Sequence, residues 1–160
     1  YKDMRAWAFH SQSWFLSHKF RLHQELQTTP GILVQDRTIY EDAEIFATML
    51  YRGRKMTKRD YETYLELYHA MKKSLRPPDL LIYLRCSVRT IRKRIKQRGR
   101  PSELDLPTAY LRKLNKRYGE WIEGFNHCPV LDWDTDKLDY LGDLVDRIEF
   151  NDAIEAVLSQ

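Results

Sequence analysis

The sequence has few residues that cross-link or break a chain. Among 160 residues there are two cysteines, six glycines and six prolines. Cys86 and Cys128 stand in no metal-type spacing, and two such thiols are typical of a reducing compartment, so we expect a cytoplasmic protein. The small number of glycines and prolines argues against long linkers and low-complexity segments.

Long apolar runs are also lacking. No run approaches the ~18 residues of a membrane-spanning helix, and the first ten residues do not have the charged-then-apolar layout of a signal peptide. A membrane is therefore not an expected partner. Hydrophobic residues at 42% and charged residues at 31% are typical of a soluble globular protein, and the length predicts one domain over residues 1–160.

Acidic residues are missing from one segment and concentrated in another. Arg85 to Arg100 contains eight Lys and Arg residues and no acid, whereas Asp132 to Asp152 contains eight acids. A chain with one cationic segment and one acidic end differs from a simple basic nucleic-acid binder. The positive charge lies mainly in one place, which makes that segment a candidate site.

Three short apolar segments indicate buried strands at Ile32–Gln35, Leu80–Leu84 and Val130–Asp134. Helical spacing, capping residues and breakers predict helices near 4–26, 40–51, 57–75, 88–97, 107–125 and 141–158. Strands that alternate with helices predict an α/β fold, with a parallel sheet and helices on both faces. Ligands of such sheets bind beyond the carboxyl ends of the strands, where this chain has Asp36–Thr38, the basic segment and an Asp-rich loop after Trp133.

The basic segment has the pattern of a phosphate clamp. Arg94 and Arg98 are four residues apart and share a face of the predicted helix, and Gly99 ends that helix so that Arg100 can turn toward the same region. Planar guanidiniums bind phosphate oxygens in pairs and neutralise charge during phosphoryl transfer. A solvated basic face or a nucleic-acid patch is the alternative that charge alone leaves open.

Three segments in order, Asp36–Asp42, Pro78–Leu84 and Arg94–Arg100, resemble the deoxynucleoside kinases, above all the bacterial deoxyadenosine/deoxyguanosine kinases. The likeness covers essentially the whole chain. It implies a P-loop kinase-like fold and transfer of a phosphoryl group from ATP, with Mg²⁺, to the 5′-hydroxyl of a deoxynucleoside, preferably a purine. It also implies a homodimer that binds the deoxynucleoside and ATP. Nucleic acid is not an expected partner.

The resemblance gives a role to individual residues of this chain. Catalytic roles fall on Arg37, beside the 5′-hydroxyl, and on Arg94, Arg98 and Arg100, over the phosphates of ATP. The implied deoxynucleoside site comprises Tyr1 and Glu103 at the 3′-hydroxyl, Trp7 lining the base pocket, Gln12 at the base edge and Asp42 near the base. The adenine of ATP is expected at the loop of Asp134 and Asp136, and no residue is expected to be a metal ligand.

Two positions depart from the family pattern. Thr38 stands where serine is usual. The family pairs the acid at the position of Asp42 with an arginine on the first helix, but this chain has Lys19 seven residues beyond Gln12, on the same helical face, and Arg21 as the other candidate. Because an ammonium group lacks the guanidinium fork, base specificity is less certain than the reaction.

The sequence does not contain the P-loop string GxxxxGK[ST]. The resemblance places the P-loop and the general-base glutamate before the position of Tyr1, so we expect a kinase domain that is incomplete at its N-terminus and inactive alone. The family's first strand lies between the strands predicted at 32–35 and 80–84, so unpaired strand edges are expected. A thymidylate-kinase-like nucleotide kinase, a non-catalytic nucleoside-binding remnant and a nucleic-acid binding module stay open as alternatives.

Overall fold

The structure is a computed structural model that describes residues 3–139 and 142–159. The chain divides into two compact units, residues 1–76 and residues 77–160. None of the described helices is both long and apolar enough to cross a membrane.

The first unit is helical. Its elements are α1 (Met4–Thr28), α2 (Ile39–Glu41), a π-helical segment (Asp42–Ala47), α3 (Thr48–Arg52) and α4 (Lys58–Lys72). Helix α1 begins at Asp3, whose carboxylate accepts hydrogen bonds from the backbone N–H groups of Arg5 and Ala6. Helix α4 begins at Thr57, whose hydroxyl accepts from the Asp60 N–H at 3.1 Å. All three predicted helices of this unit are therefore present, the second with a π-helical turn that the pattern did not indicate.

Three tyrosines form the centre of the first unit. Tyr40, Tyr64 and Tyr68 are at most 1% exposed. A buried phenol needs a hydrogen-bond partner, and the Tyr68 hydroxyl donates to Glu44 Oε1 at 2.5 Å. The helices thus enclose a core that carries polar groups as well as apolar ones.

The strand predicted at Ile32–Gln35 does not form. Ile32 and Val34 are 92% and 89% exposed, and residues 32–35 have no regular backbone pairing. No strand lies among the described residues of the first unit. Because a strand exists only through hydrogen bonds to a neighbouring strand, an apolar run without such a neighbour stays irregular, and this prediction was wrong.

The second unit contains the other two predicted strands, β1 (Leu81–Arg85) and β2 (Val130–Asp134). They pair in parallel, with Leu81 opposite Val130 and Arg85 opposite Asp134. The helices are α5 (Val88–Arg98), α6 (Pro101–Leu104), α7 (Thr108–Gly124) and α8 (Leu144–Leu158). Parallel strands need a crossover connection, here through α5 to α7, and this confirms the α/β class. Leu141, where the last helix was predicted to begin, lies outside the described residues.

Both strands of the second unit lead into polar turns at their carboxyl ends. The Ser87 hydroxyl accepts from the Thr90 N–H and begins α5 two residues after β1 ends. Beyond β2, the Thr135 N–H donates to the Arg85 carbonyl at 2.7 Å and extends the strand pairing. Gly99 ends α5 with φ 68°, a backbone conformation that glycine adopts without strain.

Candidate functional site

The first unit encloses the polar side chains of Gln12, Lys19, Asp42 and Tyr64, here called the buried polar cluster, in which Lys19 pairs with Asp42 and the charge of Asp42 acts on Tyr64. Gln12 is 8% exposed and lies on the inner face of α1. Lys19 Nζ, two helical turns further, is 3.5 Å from Asp42 Oδ2, and Asp42 is 6% exposed. Of the two candidates for the partner of Asp42, the structure therefore selects Lys19.

This cluster has unused hydrogen-bonding capacity. Within the described part of the chain, the buried atoms Gln12 Oε1 and Tyr64 Oη have no hydrogen-bond partner. Burial raises the pKa of the Asp42 carboxyl above its ordinary range, although the nearby Lys19 ammonium acts in the opposite direction. Burial also raises the pKa of the Tyr64 phenol, and the negative charge of Asp42 adds to that shift. Buried polar atoms without partners are rare and costly, so such a cluster is typical of a place that a polar ligand completes.

Arg37 lies at the start of the turn that leads into α2. Its backbone has φ 62°, in the left-handed region that costs a residue with a Cβ about 1–2 kcal/mol. Its guanidinium lies 5.1 Å from the centroid of the Phe46 ring, a cation–π distance. Strain of this kind persists only where surrounding contacts enforce it, and it is concentrated at functional sites.

Two other residues of the predicted deoxynucleoside site give less information. Trp7 is 57% exposed, and its ring is 5.8 Å from that of His10 in an edge contact, so its place in the base pocket stays a prediction. Tyr1 lies outside the described residues.

The arginines of the basic segment are held in two different ways. Arg94 donates through Nη1 to the Thr135 hydroxyl at 2.8 Å and through Nη2 to the Thr135 carbonyl at 2.6 Å. Arg98 and Arg100 instead both pair with the carboxylate of Glu103, the second at 3.5 Å. The structure thus brings Glu103 together with Arg98 and Arg100, two arginines of the predicted phosphate clamp, and binds the third, Arg94, to Thr135 just beyond β2.

The acids that follow β2 are bound to donors of the chain itself. Asp134 accepts from Arg85 Nη1 at 3.1 Å and from the Asp136 N–H at 2.9 Å. Asp136 accepts from the Ser87 N–H at 2.7 Å, and this backbone hydrogen bond is the main cause that lowers the pKa of its carboxyl. Both carboxylates therefore shape the turn at the start of α5, and their predicted contact with the adenine of ATP stays a prediction.

Two residues that shape these sites were missed by the sequence reasoning. Glu41 accepts a hydrogen bond from the Thr38 N–H at 2.6 Å. The spacing Thr38-x-x-Glu41 is a capping-box signature, so this contact could have been predicted. Thr135, 2% exposed, donates its hydroxyl to the Arg85 carbonyl and holds Arg94, but nothing in the pattern distinguishes it from other threonines.

No group of three His, Cys, Asp or Glu residues within the described ranges could hold a metal ion. Asp42, Asp134 and Asp136 contact Lys19, Arg85 and the Ser87 N–H, respectively.

Comparison with known proteins identifies the family of the chain. Residues 1–159 match the deoxynucleoside kinase family. The chain belongs to the deoxynucleoside kinase family. This family consists of phosphotransferases with a P-loop kinase fold, and both the predicted resemblance and the predicted enzyme class are confirmed at the level of the family.

Three relatives show how the chain compares with complete deoxynucleoside kinases. A deoxyadenosine/deoxycytidine kinase of Bacillus subtilis is 42% identical over 145 residues, which cover 89% of this chain and 67% of the relative. A deoxyadenosine kinase of Dictyostelium discoideum is 36% identical over 82% of this chain and 54% of the relative. A deoxyguanosine kinase of Lactobacillus johnsonii is 35% identical over the whole chain and 75% of the relative. The chain thus spans between about half and three quarters of the length of these kinases.

Proposed function

We propose that this chain is the nucleoside-recognition and phosphate-binding part of a deoxynucleoside kinase that transfers the γ-phosphoryl group of ATP to the 5′-hydroxyl of a deoxynucleoside. The match to the family over residues 1–159 supports this reaction class, and it favours a deoxynucleoside over a nucleotide acceptor. It also supports one kinase domain that includes both compact units.

The observation that carries the proposal is the buried polar cluster. The Gln12 amide can donate and accept, and its Oε1 has no partner within the described residues. A base edge that pairs with this amide supplies the missing donor. The Lys19–Asp42 pair, 3.5 Å apart, adds a second point of discrimination. We propose a purine as the preferred base, because the Dictyostelium and Lactobacillus relatives are named for a purine deoxynucleoside and the Bacillus relative is named for deoxyadenosine together with deoxycytidine.

The arginines of the second unit supply positive charge for the phosphates of ATP. Arg98 and Arg100 are half-exposed or more, with side-chain exposures of 51% and 64%, and their partner is a single carboxylate, Glu103. Surface ion pairs of this kind are weak. A polyphosphate can therefore displace Glu103 from both guanidiniums, while Arg94 stays bound to Thr135. The role at the 3′-hydroxyl that the resemblance implies for Glu103 stays a prediction.

Mg²⁺ is proposed only as the ion that accompanies ATP, and no step is assigned to it. The proposed compartment is the cytoplasm, since Cys86 and Cys128 are free thiols. Nucleic acid is not a proposed partner. The acidic segment from Asp132 to Asp152, with eight acids, supports this, because the chain does not present a uniformly basic surface.

We further propose a homodimer. Helix α1 is apolar on two faces: one is buried in the first unit, and the other includes Trp7 and Trp14, which are 57% and 59% exposed. Trp14 stacks on His18 with ring centroids 5.3 Å apart. Exposed aromatic surface of this kind is typical of protein interfaces. Sedimentation equilibrium of the purified chain measures the oligomeric state directly.

The reaction is tested with a chimera in which the N-terminal P-loop segment of the Bacillus relative precedes this chain. We expect the chimera to phosphorylate deoxynucleosides and the 160-residue chain alone to be inactive. Gln12→Ala removes both proposed hydrogen bonds to the base. It is expected to lower kcat/KM roughly 5- to 150-fold, which corresponds to a loss of about 1–3 kcal/mol of transition-state stabilisation.

Gln24→Ala is the matched control, because Gln24 is a glutamine on the same helix but is exposed. Competition among the four natural deoxynucleosides measures the base preference. A chimera that prefers thymidine, or that responds equally to both glutamine variants, contradicts the assignment of Gln12 to the base. Phosphoryl transfer by the 160-residue chain alone contradicts the expected need for a P-loop.

A further inference from the structure

The turn after Arg37 is closed by one carboxylate. Glu41 Oε2 accepts from the Thr38 N–H at 2.6 Å and from the Thr38 hydroxyl at 3.2 Å. Thr38 is the residue that immediately follows Arg37, and its backbone is extended, with φ −122° and ψ 177°. Both donors of Thr38 thus converge on the same oxygen, and this fixes the direction in which the chain enters α2.

Arg37 is the residue that this turn constrains. Among the described residues, only Arg37 and Arg54 have a positive φ without being glycine. Arg54 follows Gly53 at the end of α3, in a turn whose backbone bonds return to α3. Arg37 has no such helical turn before it, because residues 32–35 are irregular. On its following side Arg37 adjoins Thr38, which Glu41 holds, and its guanidinium lies over the Phe46 ring.

We infer that Glu41 is a positioning residue: its double hydrogen bond to Thr38 holds Arg37 in the left-handed conformation that directs the guanidinium over Phe46. The conformation of Arg37 is inferred from the described contacts alone. Its consequence for catalysis rests on the proposed function, in which Arg37 acts at the 5′-hydroxyl. Glu41 itself is not a catalytic residue, because it acts only through Arg37.

The surroundings of Glu41 explain why a carboxylate is used. Its side chain is partly buried, and burial raises the pKa of the carboxyl, while the Thr38 hydrogen bonds and the charges of Lys19 and Arg37 oppose this shift. An ionised acceptor makes shorter and stronger hydrogen bonds than a neutral one. The neighbouring Asp42 is also acidic and is paired with Lys19. The Arg37 and Lys19 cations thus help to keep Glu41 in the form that binds Thr38 best.

The inference can be tested on the 160-residue chain by NMR, without any catalytic activity. Two signals are followed: hydrogen exchange of the Thr38 amide, and the Arg37 side-chain resonances, which the Phe46 ring current shifts. Glu41→Ala is expected to speed exchange of the Thr38 amide by at least about tenfold and to remove the ring-current shift of Arg37. Glu41→Gln keeps an oxygen acceptor and is expected to restore most of both signals.

Thr57→Ala is the matched control, because it removes the cap of α4 in the same unit without contact to Arg37. It is expected to lower stability to a similar degree and to leave both signals unchanged. The inference is wrong if Glu41→Ala leaves the Thr38 and Arg37 signals as they are, or if Thr57→Ala changes them equally.

An activity measurement on the chimera tests the consequence for catalysis. Glu41→Ala is expected to lower kcat about tenfold with little change in the KM for the deoxynucleoside, since misplacement of a positioned group mainly affects the transition state. Unchanged kcat beside lost NMR signals overturns the catalytic consequence. If the chimera with the natural sequence is itself inactive, the proposed function fails, and the NMR result still decides whether Glu41 positions Arg37.

Discussion

The ion pairs at the proposed binding sites of the two compact units differ in their exposure to solvent. In the first unit the Lys19–Asp42 pair is largely enclosed, with side-chain exposures of 14% and 8%. In the second unit the pairs lie at the surface: Arg85 and Asp132 have side-chain exposures of 48% and 45%, and Arg98 is 51% exposed. The ion pair at the proposed base site of the first unit is therefore enclosed, whereas the arginines proposed to bind phosphate in the second unit are accessible to solvent.

This difference matches what each unit is proposed to bind. Recognition of a base edge depends on a few directional hydrogen bonds, and buried groups with fixed geometry provide them. Binding of a polyphosphate depends on charge and on the ability to exchange partners, and exposed arginines provide these. Changes at Gln12, Lys19 and Asp42 in the first unit should therefore alter stability and base selectivity, whereas changes at the exposed arginines of the second should alter the rate of transfer.

The largest effect is expected at the exposed arginines. In the active chimera, Arg98→Ala is expected to lower kcat by about a hundredfold or more with a small change in the KM for the deoxynucleoside, because a phosphate-facing arginine acts on charge in the transition state. Steady-state kinetics with varied deoxynucleoside separates the two parameters. The stability of the chain should change little, since the Arg98–Glu103 pair is exposed.

Arg89 is the control for this change, because it is an exposed arginine on the same helix α5. Arg92 is unsuitable, since its guanidinium donates to the Thr108 hydroxyl at 2.6 Å. Equal losses of kcat from Arg98→Ala and Arg89→Ala would reduce the clamp to a general basic surface.

The sequence predicted most of the regular elements but not which contacts their side chains make. Five of the six predicted helices and the two strands of the second unit depend on local periodicity and caps such as Thr57 and Ser87, which a short window reveals. The sixth helix, predicted from Leu141, is present from Leu144. The run at 32–35 failed, because a strand depends on a distant neighbour that periodicity does not reveal.

The contacts of the candidate site were also only partly predictable from the sequence. Lys19 was found because seven residues is two helical turns, so its face was readable from the sequence. The partner of Arg94 was not found, because Thr135 follows a different strand and only the fold brings the two together. Arg94 and Arg98 share a face of α5 but bind different partners, Thr135 and Glu103. The spacing did not indicate this, since long side chains on one helix can reach in different directions.

A substantial loss of stability is expected when the buried Lys19–Asp42 ion pair is broken. Lys19→Met leaves the Asp42 carboxylate enclosed without its cation and is expected to lower the free energy of unfolding by about 2–4 kcal/mol. Urea unfolding followed by tryptophan fluorescence and circular dichroism measures this change. The double variant Lys19→Met with Asp42→Asn should recover a part of the loss, because no buried charge remains.

Lys58→Met is the matched control. Lys58 pairs with Glu62 at 3.6 Å in the same unit, but both side chains are more than half exposed. Its loss is expected to cost at most about 0.5 kcal/mol. Similar costs for the two lysine variants would show that burial does not distinguish the Lys19–Asp42 pair, and the contrast between the units would lose its energetic basis.

The smallest expected effect is a difference in how the two units respond to pH. Burial raises the pKa of the Glu41 carboxyl above its ordinary value of 4.5. A group with a raised folded-state pKa contributes stability that is fully present below its ordinary pKa and is lost as pH rises through the raised value. Lowering the pH from 7 to 5 should therefore increase the contribution of Glu41 to the free energy of unfolding, although the charges of Lys19 and Arg37 oppose the rise in its pKa.

The comparison of variants isolates this contribution from the other titrating groups. Glu41→Gln cannot titrate, so the gain in unfolding free energy between pH 7 and pH 5 should be smaller than in the natural chain. Asp136→Asn in the second unit should leave the gain unchanged, because the pKa of the exposed Asp136 carboxyl lies below its ordinary value of 3.8 and the group stays ionised over this range. A gain that Asp136→Asn removes and Glu41→Gln preserves would reverse the assignment, since the pH response would then come from the exposed acids of the second unit.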